Sequence, residues 1–277
     1  MKIAVASGKG GTGKTLISTN MFNVLPSAVY LDCDVEEPNG HIFLKSDIER
    51  KELVFIPIPQ VDEAVCTHCG KCAKVCNFNA IISAKQKVLV FPELCHGCGS
   101  CTYFCPEDAI SEINREIGKI EIGKFDQKEI FTGRLNVGEP MAPPVIRKLK
   151  EKMIGSSADF IIDCPPGTSC PVIESLVGVD FVVLVTESTP FGLNDLKLAV
   201  ELVRKLNLPM GVVVNKSGLG GTLINDYCQS ENIDLLLEIP HDKWVAETYS
   251  KGHLITEDDR YKKIFTKLYH DILEILK

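Results

Sequence analysis

The octet Gly8-Lys9-Gly10-Gly11-Thr12-Gly13-Lys14-Thr15 constrains this chain more than any other stretch. It follows the strand-like run Lys2–Ala6 and opens a helical pattern, so it matches G-x-x-x-x-G-K-S/T in the setting that motif requires. Glycines let backbone N–H groups turn inward around phosphate oxygens, and a helix N-terminus adds a favourable field. Gly8, Gly10, Gly11, Thr12 and Gly13 are expected to cradle phosphates. Lys14 is expected to reach the β and γ phosphates, and the Thr15 hydroxyl to ligate Mg2+. The alternative is a tight strand–helix turn without a ligand.

The remainder of the chain alternates in the same βα manner. Strands are expected at Lys2–Ala6, Ala28–Asp32, Leu53–Ile56, Phe160–Asp163, Phe181–Thr186, Gly211–Asn215 and Leu235–Ile239. Most are unbroken Val, Ile and Leu runs, which suit a parallel sheet covered on both faces. Helices are expected at Gly13–Leu25, Pro143–Ile154, Leu193–Leu206, Gly221–Gln229 and Tyr261–Leu276. The pattern predicts an α/β fold with a doubly wound, mainly parallel sheet of the P-loop NTPase kind.

Ligands of such sheets bind at the carboxyl ends of the strands. Asp34, after Leu31-Asp32-Cys33, can orient an attacking water or hold Mg2+ through water. Asp163, opening Asp163-Cys164-Pro165-Pro166-Gly167, is placed as a Walker-B carboxylate. Gly167 offers a backbone able to sense the γ phosphate. Asn215-Lys216 can read a purine edge, and Pro240-His241-Asp242 can wall the base. Caps and turn residues are the competing reading for these positions.

Cysteine usage interrupts the alternation. Eight of the twelve cysteines fall between Cys66 and Cys105, as two copies of C-x2-C-x2-C-x3-C offset by 29 residues. Ala80-Ile81 recurs as Ala109-Ile110 at the same offset, and short strands are expected at Val88–Phe91 and Lys119–Ile122. Thiolates so spaced wrap cubane iron–sulfur clusters, whereas zinc sites use paired knuckles with longer spacers. In two-cluster ferredoxins the fourth cysteine of each run ligates the other cluster. One 4Fe–4S cluster is thus assigned to Cys66, Cys69, Cys72 and Cys105, the other to Cys95, Cys98, Cys101 and Cys76. Asn77 replaces the proline expected after Cys76, so the two potentials need not be equal. The domains expected are a nucleotide domain, residues 1–57 and 124–277, and an inserted, small α+β ferredoxin-like domain, residues 58–123. Of the other cysteines, Cys33, Cys164 and Cys228 read as buried thiols. Cys170 lies just past Gly167, where two copies could meet across a two-fold axis and hold a transient metal.

Taken together, GKGGTGKT, LDCDVEEPN, DCPPGT, TESTPFGLNDL, VVVNKSG and IPHDKWVAETYSKG resemble the MinD/Mrp superfamily of deviant-Walker-A ATPases, in its members with an inserted ferredoxin domain. Residues 66–106 resemble bacterial two-cluster ferredoxins. The resemblance implies ATP or ADP with Mg2+ as ligand. It implies a homodimer closed through the nucleotide face, with Lys9 crossing to the partner's phosphates. Lys9, Lys14, Asp34 and Asp163 become the catalytic set, and Asn215, Lys216 and Pro240–Asp242 the adenine segments. A C-terminal C-x-x-C of the Mrp scaffolds is absent.

The function expected is an ATPase that couples hydrolysis to assembly or insertion of iron–sulfur or metal clusters in a partner. ATP-gated electron transfer to a redox partner is the alternative, and a positioning ATPase the third reading. A net charge of −7 speaks against nucleic acid. No apolar run reaches the ~18 residues of a membrane span. The helix Tyr261–Leu276 presents Ile264, Phe265, Leu268, Ile272 and Ile275, a face suited to packing on the sheet rather than on lipid. A cytoplasmic setting is expected, since the N-terminus lacks a signal-peptide pattern.

Overall fold

The computed structural model describes residues 1–84, 86–218 and 221–277. The strands are β1 (Lys2–Ala6), β2 (Ala28–Asp32), β3 (Asp47–Val61), β4 (Ile81–Ala84), β5 (Lys87–Val90), β6 (Ile110–Phe125), β7 (Lys128–Leu135), β8 (Asp159–Asp163), β9 (Phe181–Glu187), β10 (Met210–Ser217) and β11 (Asp234–Pro240). The helices are α1 (Lys14–Val24), α2 (Gly40–Leu44), α3 (Lys71–Val75), α4 (Ser100–Tyr103), α5 (Pro143–Lys150), α6 (Cys170–Leu176), α7 (Pro190–Lys205), α8 (Leu223–Ser230), α9 (Lys243–Ser250) and α10 (Asp259–Ile275).

Nine strands form one sheet in the order β11-β10-β9-β1-β8-β2-β7-β6-β3. Neighbours from β11 through β7 run parallel, while β6 and β3 add antiparallel at the far edge. The short central strands are apolar on both faces, and each face has its own core. In β1, Ile3 and Val5 enter the layer that holds Phe22, Phe265, Leu268 and Ile272 of α1 and α10. Ala4 and Ala6 enter the opposite layer, with Ile146, Leu149, Leu176, Val200 and Val203 of α5, α6 and α7. Alternation with a period of two thus places helices on both sides, the α/β arrangement expected of P-loop NTPases.

The far edge departs from the sequence reading. Leu53–Ile56 belongs to a 15-residue antiparallel strand rather than to the parallel set. Lys119–Ile122 is the middle of the 16-residue β6, not a short strand. Strands β4 and β7 and helices α2, α3, α4 and α9 were not anticipated. Helix α5 stops at Lys150 and continues as a 3-10 turn, Glu151–Met153. On α10 only Phe265, Leu268 and Ile272 of the expected face are buried; Ile264 and Ile275 are 37% and 39% exposed. Among the described residues no helix is long and apolar enough to cross a membrane.

The β3–β6 ribbon positions the cysteines. Strand β7 pairs β6 only from Gly118 to Phe125, ending at Gly118↔Leu135. The ladder between β3 and β6 continues past that point, from Phe55↔Glu116 to Val61↔Ile110. Because β7 is parallel to β2, this overhang leaves the sheet at the carboxyl edge of the parallel strands. Residues 62–109 sit at its tip, closed at the base by Asp62 N–H donating to the Ala109 carbonyl at 2.8 Å. They contain α3, α4 and the two-stranded β4–β5 hairpin.

Candidate nucleotide site and cysteine cavities

The phosphate-loop octet wraps the N-terminus of α1. Gly13 takes φ 97°, a left-handed conformation that glycine adopts without strain, and a Cβ there would run into the Asn215 side-chain amide. That amide, carried by β10, donates from Nδ2 to the Thr12 carbonyl at 2.9 Å. Gly8 packs against the backbone of Asp195 in α7, leaving no room for a side chain.

A cleft of about 390 Å3 opens over the loop. Gly10, Gly11, Gly13, Lys14 and Thr15 line its floor, with Asp34 at one side and Asn215, Lys216, Pro240 and Asp242 at the other. Asp242 also caps α9, its Oδ1 accepting from Trp244 N–H at 2.6 Å. Gly8, Thr12, Asp163 and Gly167 are not part of this lining. Gly167 takes φ 94°, and its N–H donates to the Ser7 carbonyl at 3.0 Å. Lys9 points elsewhere: its Nζ lies 3.6 Å from Glu187 Oε2, at the end of β9. Lys216 pairs with the other oxygen of the same carboxylate at 2.5 Å.

Three acidic groups gather at the cleft, Asp34 in its lining and two more behind it. Asp32 and Asp163 face each other in register across β2 and β8, both fully buried. Burial and mutual repulsion raise the Asp32 carboxyl well above the usual range. Burial also raises Asp163, opposed by the Lys14 ammonium. Asp34 is pushed up to about 6, first by burial and then by Asp163. Asp32 is held by Gly40 N–H at 3.0 Å, and Asp163 Oδ2 accepts from the Tyr30 hydroxyl at 3.0 Å. Among the described residues, Asp163 Oδ1 and Thr12 Oγ1 are buried without a partner. Buried polar atoms are ordinarily satisfied, so an orphaned carboxylate oxygen beside Thr15 and Lys14 fits the water shell of a nucleotide-bound cation.

Sequence reasoning missed Asn39. Its Oδ1 accepts from Thr15 Oγ1 at 2.7 Å, so the segment before α2 reaches the hydroxyl read as the Mg2+ ligand. The asparagine inside LDCDVEEPN was the only signal, and it carries no spacing rule of its own.

The eight clustered cysteines line two separate cavities. Cys66, Cys69, Cys72 and Cys105 surround one, and Cys76, Cys95, Cys98 and Cys101 the other. The second lies at the base of the arm: Cys95 and Ala80 belong to the same core as Ile58 and Val54 of β3. The first is distal, in a small core of its own with Ile81, Val88 and Ile110. Burial raises the Cys72, Cys95 and Cys101 thiols, whereas a hydrogen bond with Ser100 lowers Cys98. Backbone N–H groups of Gly97 and Ala109 donate to the Cys95 and Cys105 sulfurs at 3.5 and 3.3 Å. Among the described residues no three side chains converge on a single-ion position. Four separated thiols around one cavity fit a multi-iron group, in which each sulfur binds a different iron. Cys33, Cys164 and Cys228 are buried, and Cys170 is exposed at the start of α6.

A phosphate loop on α1, paired carboxylates at neighbouring strand ends and a mainly parallel sheet define a P-loop ATPase. Residues 3–255 match the CobQ/CobB/MinD/ParA nucleotide binding domain family, and the chain belongs to it. A Methanocaldococcus jannaschii protein described as uncharacterized protein MJ0579 is 32% identical over 257 residues, covering 91% of this chain and 90% of that protein. An iron-sulfur cluster carrier protein of Pyrococcus horikoshii is 28% identical, covering all of this chain and 86% of the carrier. The fold is similar to that of the septum site-determining protein MinD from Pyrococcus horikoshii, solved with Mg-ADP. That match has TM-score 0.61 and 17% identity, over 98% of this chain and 95% of that one.

Proposed function

We propose that this chain is an Mg-ATP-dependent, dimeric ATPase that couples hydrolysis to the assembly or insertion of iron–sulfur or metal clusters in a partner protein. Residues 58–123 serve as a ferredoxin-like unit carrying two 4Fe–4S clusters. The observation that carries this reading is the overhang of β3 and β6. It sets two cavities, each lined by four cysteines, on the sheet edge where the nucleotide cleft opens. The grouping of the cavities supports the crossed ligand assignment, with Cys105 in the distal set and Cys76 in the proximal set. Relatives named as iron-sulfur cluster carriers support the choice of cargo.

Iron–sulfur groups, when bound, supply one-electron chemistry and a transferable inorganic core. The chain's own residues do the rest. Loop N–H groups and Lys14 bind the phosphates, and Thr15 with the Asp163 carboxylate holds the cation. Asp34 orients the attacking water. In the dimer, Lys9 leaves Glu187 and reaches the partner's phosphates. ATP closes the dimer only through the contacts it makes in the closed state and not in the open one. The test is transfer from anaerobically purified protein to an apo-ferredoxin acceptor. Iron–sulfur absorption that appears in the acceptor only with ATP and Mg2+ supports the reading. ATP hydrolysis without such transfer, accompanied by a nucleotide-dependent change in cluster potential, moves the assignment to gated electron transfer.

A further inference from the structure

The segment that carries Asp34 is joined to the proximal cysteine cavity by a short, fully described chain of contacts. The carbonyl of Val35, next to Asp34, accepts from Leu135 N–H at 2.8 Å. Leu135 ends β7, and the chain then turns tightly. Glu139 N–H donates back to the Asn136 carbonyl at 3.1 Å, with Gly138 at φ 82°, the sign a type II turn requires at its third residue. This turn is stitched to β6 just where the ribbon overhangs. Asn136 N–H donates to the Ile117 carbonyl at 2.9 Å, and its Nδ2 donates to Glu116 Oε1 at 3.4 Å.

The strongest stitch is an ion pair. Both terminal nitrogens of Arg115 reach the two oxygens of Glu139, one of them at 3.1 Å, and the pair is largely shielded, with 19% and 4% side-chain exposure. Bidentate pairs of this kind are directional as well as strong. Arg115 is opposite Ile56 on β3, one step from Pro57. Pro57 in turn packs on Gly97, inside the Cys95–Cys98 turn, and lines the proximal cavity.

We propose that the Glu139–Arg115 ion pair transmits the state of the nucleotide site to the cavity formed by Cys76, Cys95, Cys98 and Cys101. Arg115 is a positioning residue: it touches neither nucleotide nor a reacting atom, and it acts through Pro57 and the Cys95 turn. Movement of Asp34 and Val35 on phosphate binding pulls Leu135, shifts the turn and alters how Glu139 holds Arg115. Pro57 does not line the distal cavity, which is expected to respond less. This inference rests on the cluster reading proposed above.

The experiment uses anaerobically purified protein, wild type and Glu139→Gln, with and without AMP-PNP and Mg2+. Iron content is measured first, then the potentials of the two clusters, then amide exchange across residues 95–101. In the wild type the nucleotide is expected to shift one potential more than the other and to change exchange in that turn. In Glu139→Gln both nucleotide effects fall by half or more, with iron content and nucleotide affinity retained. The charge swap Arg115→Glu with Glu139→Arg restores part of the exchange response, which guards against a variant that merely loosens the fold. Clusters present with the nucleotide effects undiminished in Glu139→Gln overturn this proposal alone. Absence of iron from the wild type overturns the cluster reading and this proposal with it.

Discussion

Glu187 Oε2 lies 3.6 Å from Lys9 Nζ, so the lysine that the family resemblance sends across a dimer interface is held within its own subunit. Both side chains are partly exposed, at 33% and 16%, and a pair of that kind contributes up to about 1 kcal/mol. Glu187→Gln is therefore expected to lower the ATP concentration at which dimers form by up to about fivefold. Lys9→Ala is expected to abolish ATP-induced dimerisation and hydrolysis while nucleotide binding stays measurable. Analytical ultracentrifugation with ATP checks the first, and an unchanged hydrolysis rate in Lys9→Ala sinks the second.

Gly13 can carry no side chain without displacing the Asn215 amide from the Thr12 carbonyl. Gly13→Ala adds left-handed strain of about 1–2 kcal/mol to that clash. Nucleotide affinity should drop at least ~10-fold, the effect of about 1.4 kcal/mol. Calorimetric titration with ADP measures it; retention of wild-type affinity contradicts the role given to this contact.

Asp34 makes stability depend on pH in a defined direction. Its folded value of about 6 lies above the ordinary carboxylate value of about 4. Between those limits the folded chain holds a proton that the unfolded chain has released. Stability from this group is thus greatest below about pH 4 and declines as pH rises through about 6. Asp34→Asn should flatten that part of the melting profile of the nucleotide-free protein. It should also suppress hydrolysis, because a neutral amide oxygen accepts a weaker hydrogen bond from the attacking water than a carboxylate does. A profile of unchanged slope refutes the assignment.

Cys105 is the last cysteine of the second motif in sequence but lines the distal cavity with Cys66, Cys69 and Cys72 of the first. Cys105→Ser and Cys69→Ser should therefore remove the same electron paramagnetic resonance signal, and Cys76→Ser and Cys98→Ser the other. If Cys105→Ser instead removes the signal lost in Cys98→Ser, the crossed assignment fails.

Asn39→Ala removes the acceptor that orients the Thr15 hydroxyl at 2.7 Å. The expected result is weaker Mg2+ dependence of nucleotide binding, with nucleotide affinity in EDTA unchanged. Titrations with and without the cation decide it.

The central sheet was legible because its signals are local: a glycine motif after an apolar strand, and short Val- and Ile-rich runs that must be buried on both sides. The edge was not. In β3, Glu49-Arg50-Lys51-Glu52 reads as a charged loop, since this exposed half of the strand has no apolar face to announce it. Its strand character comes from pairing with β6, more than 50 residues away in sequence. The same distance hid Asn39, whose partner Thr15 is 24 residues earlier. Lys9 was singled out by resemblance alone, and no spacing rule could have named Glu187 as its holder.

Val61 and Ile110 are ladder partners, and the 48 residues between them leave and return through adjacent backbone positions. A two-residue hairpin turn can join those positions without altering the register below. The nucleotide machinery is therefore severable from the cysteines by one excision. A chain shortened in this way should still turn over ATP with no redox-active metal aboard, so that fuel consumption and cargo handling become separately measurable quantities.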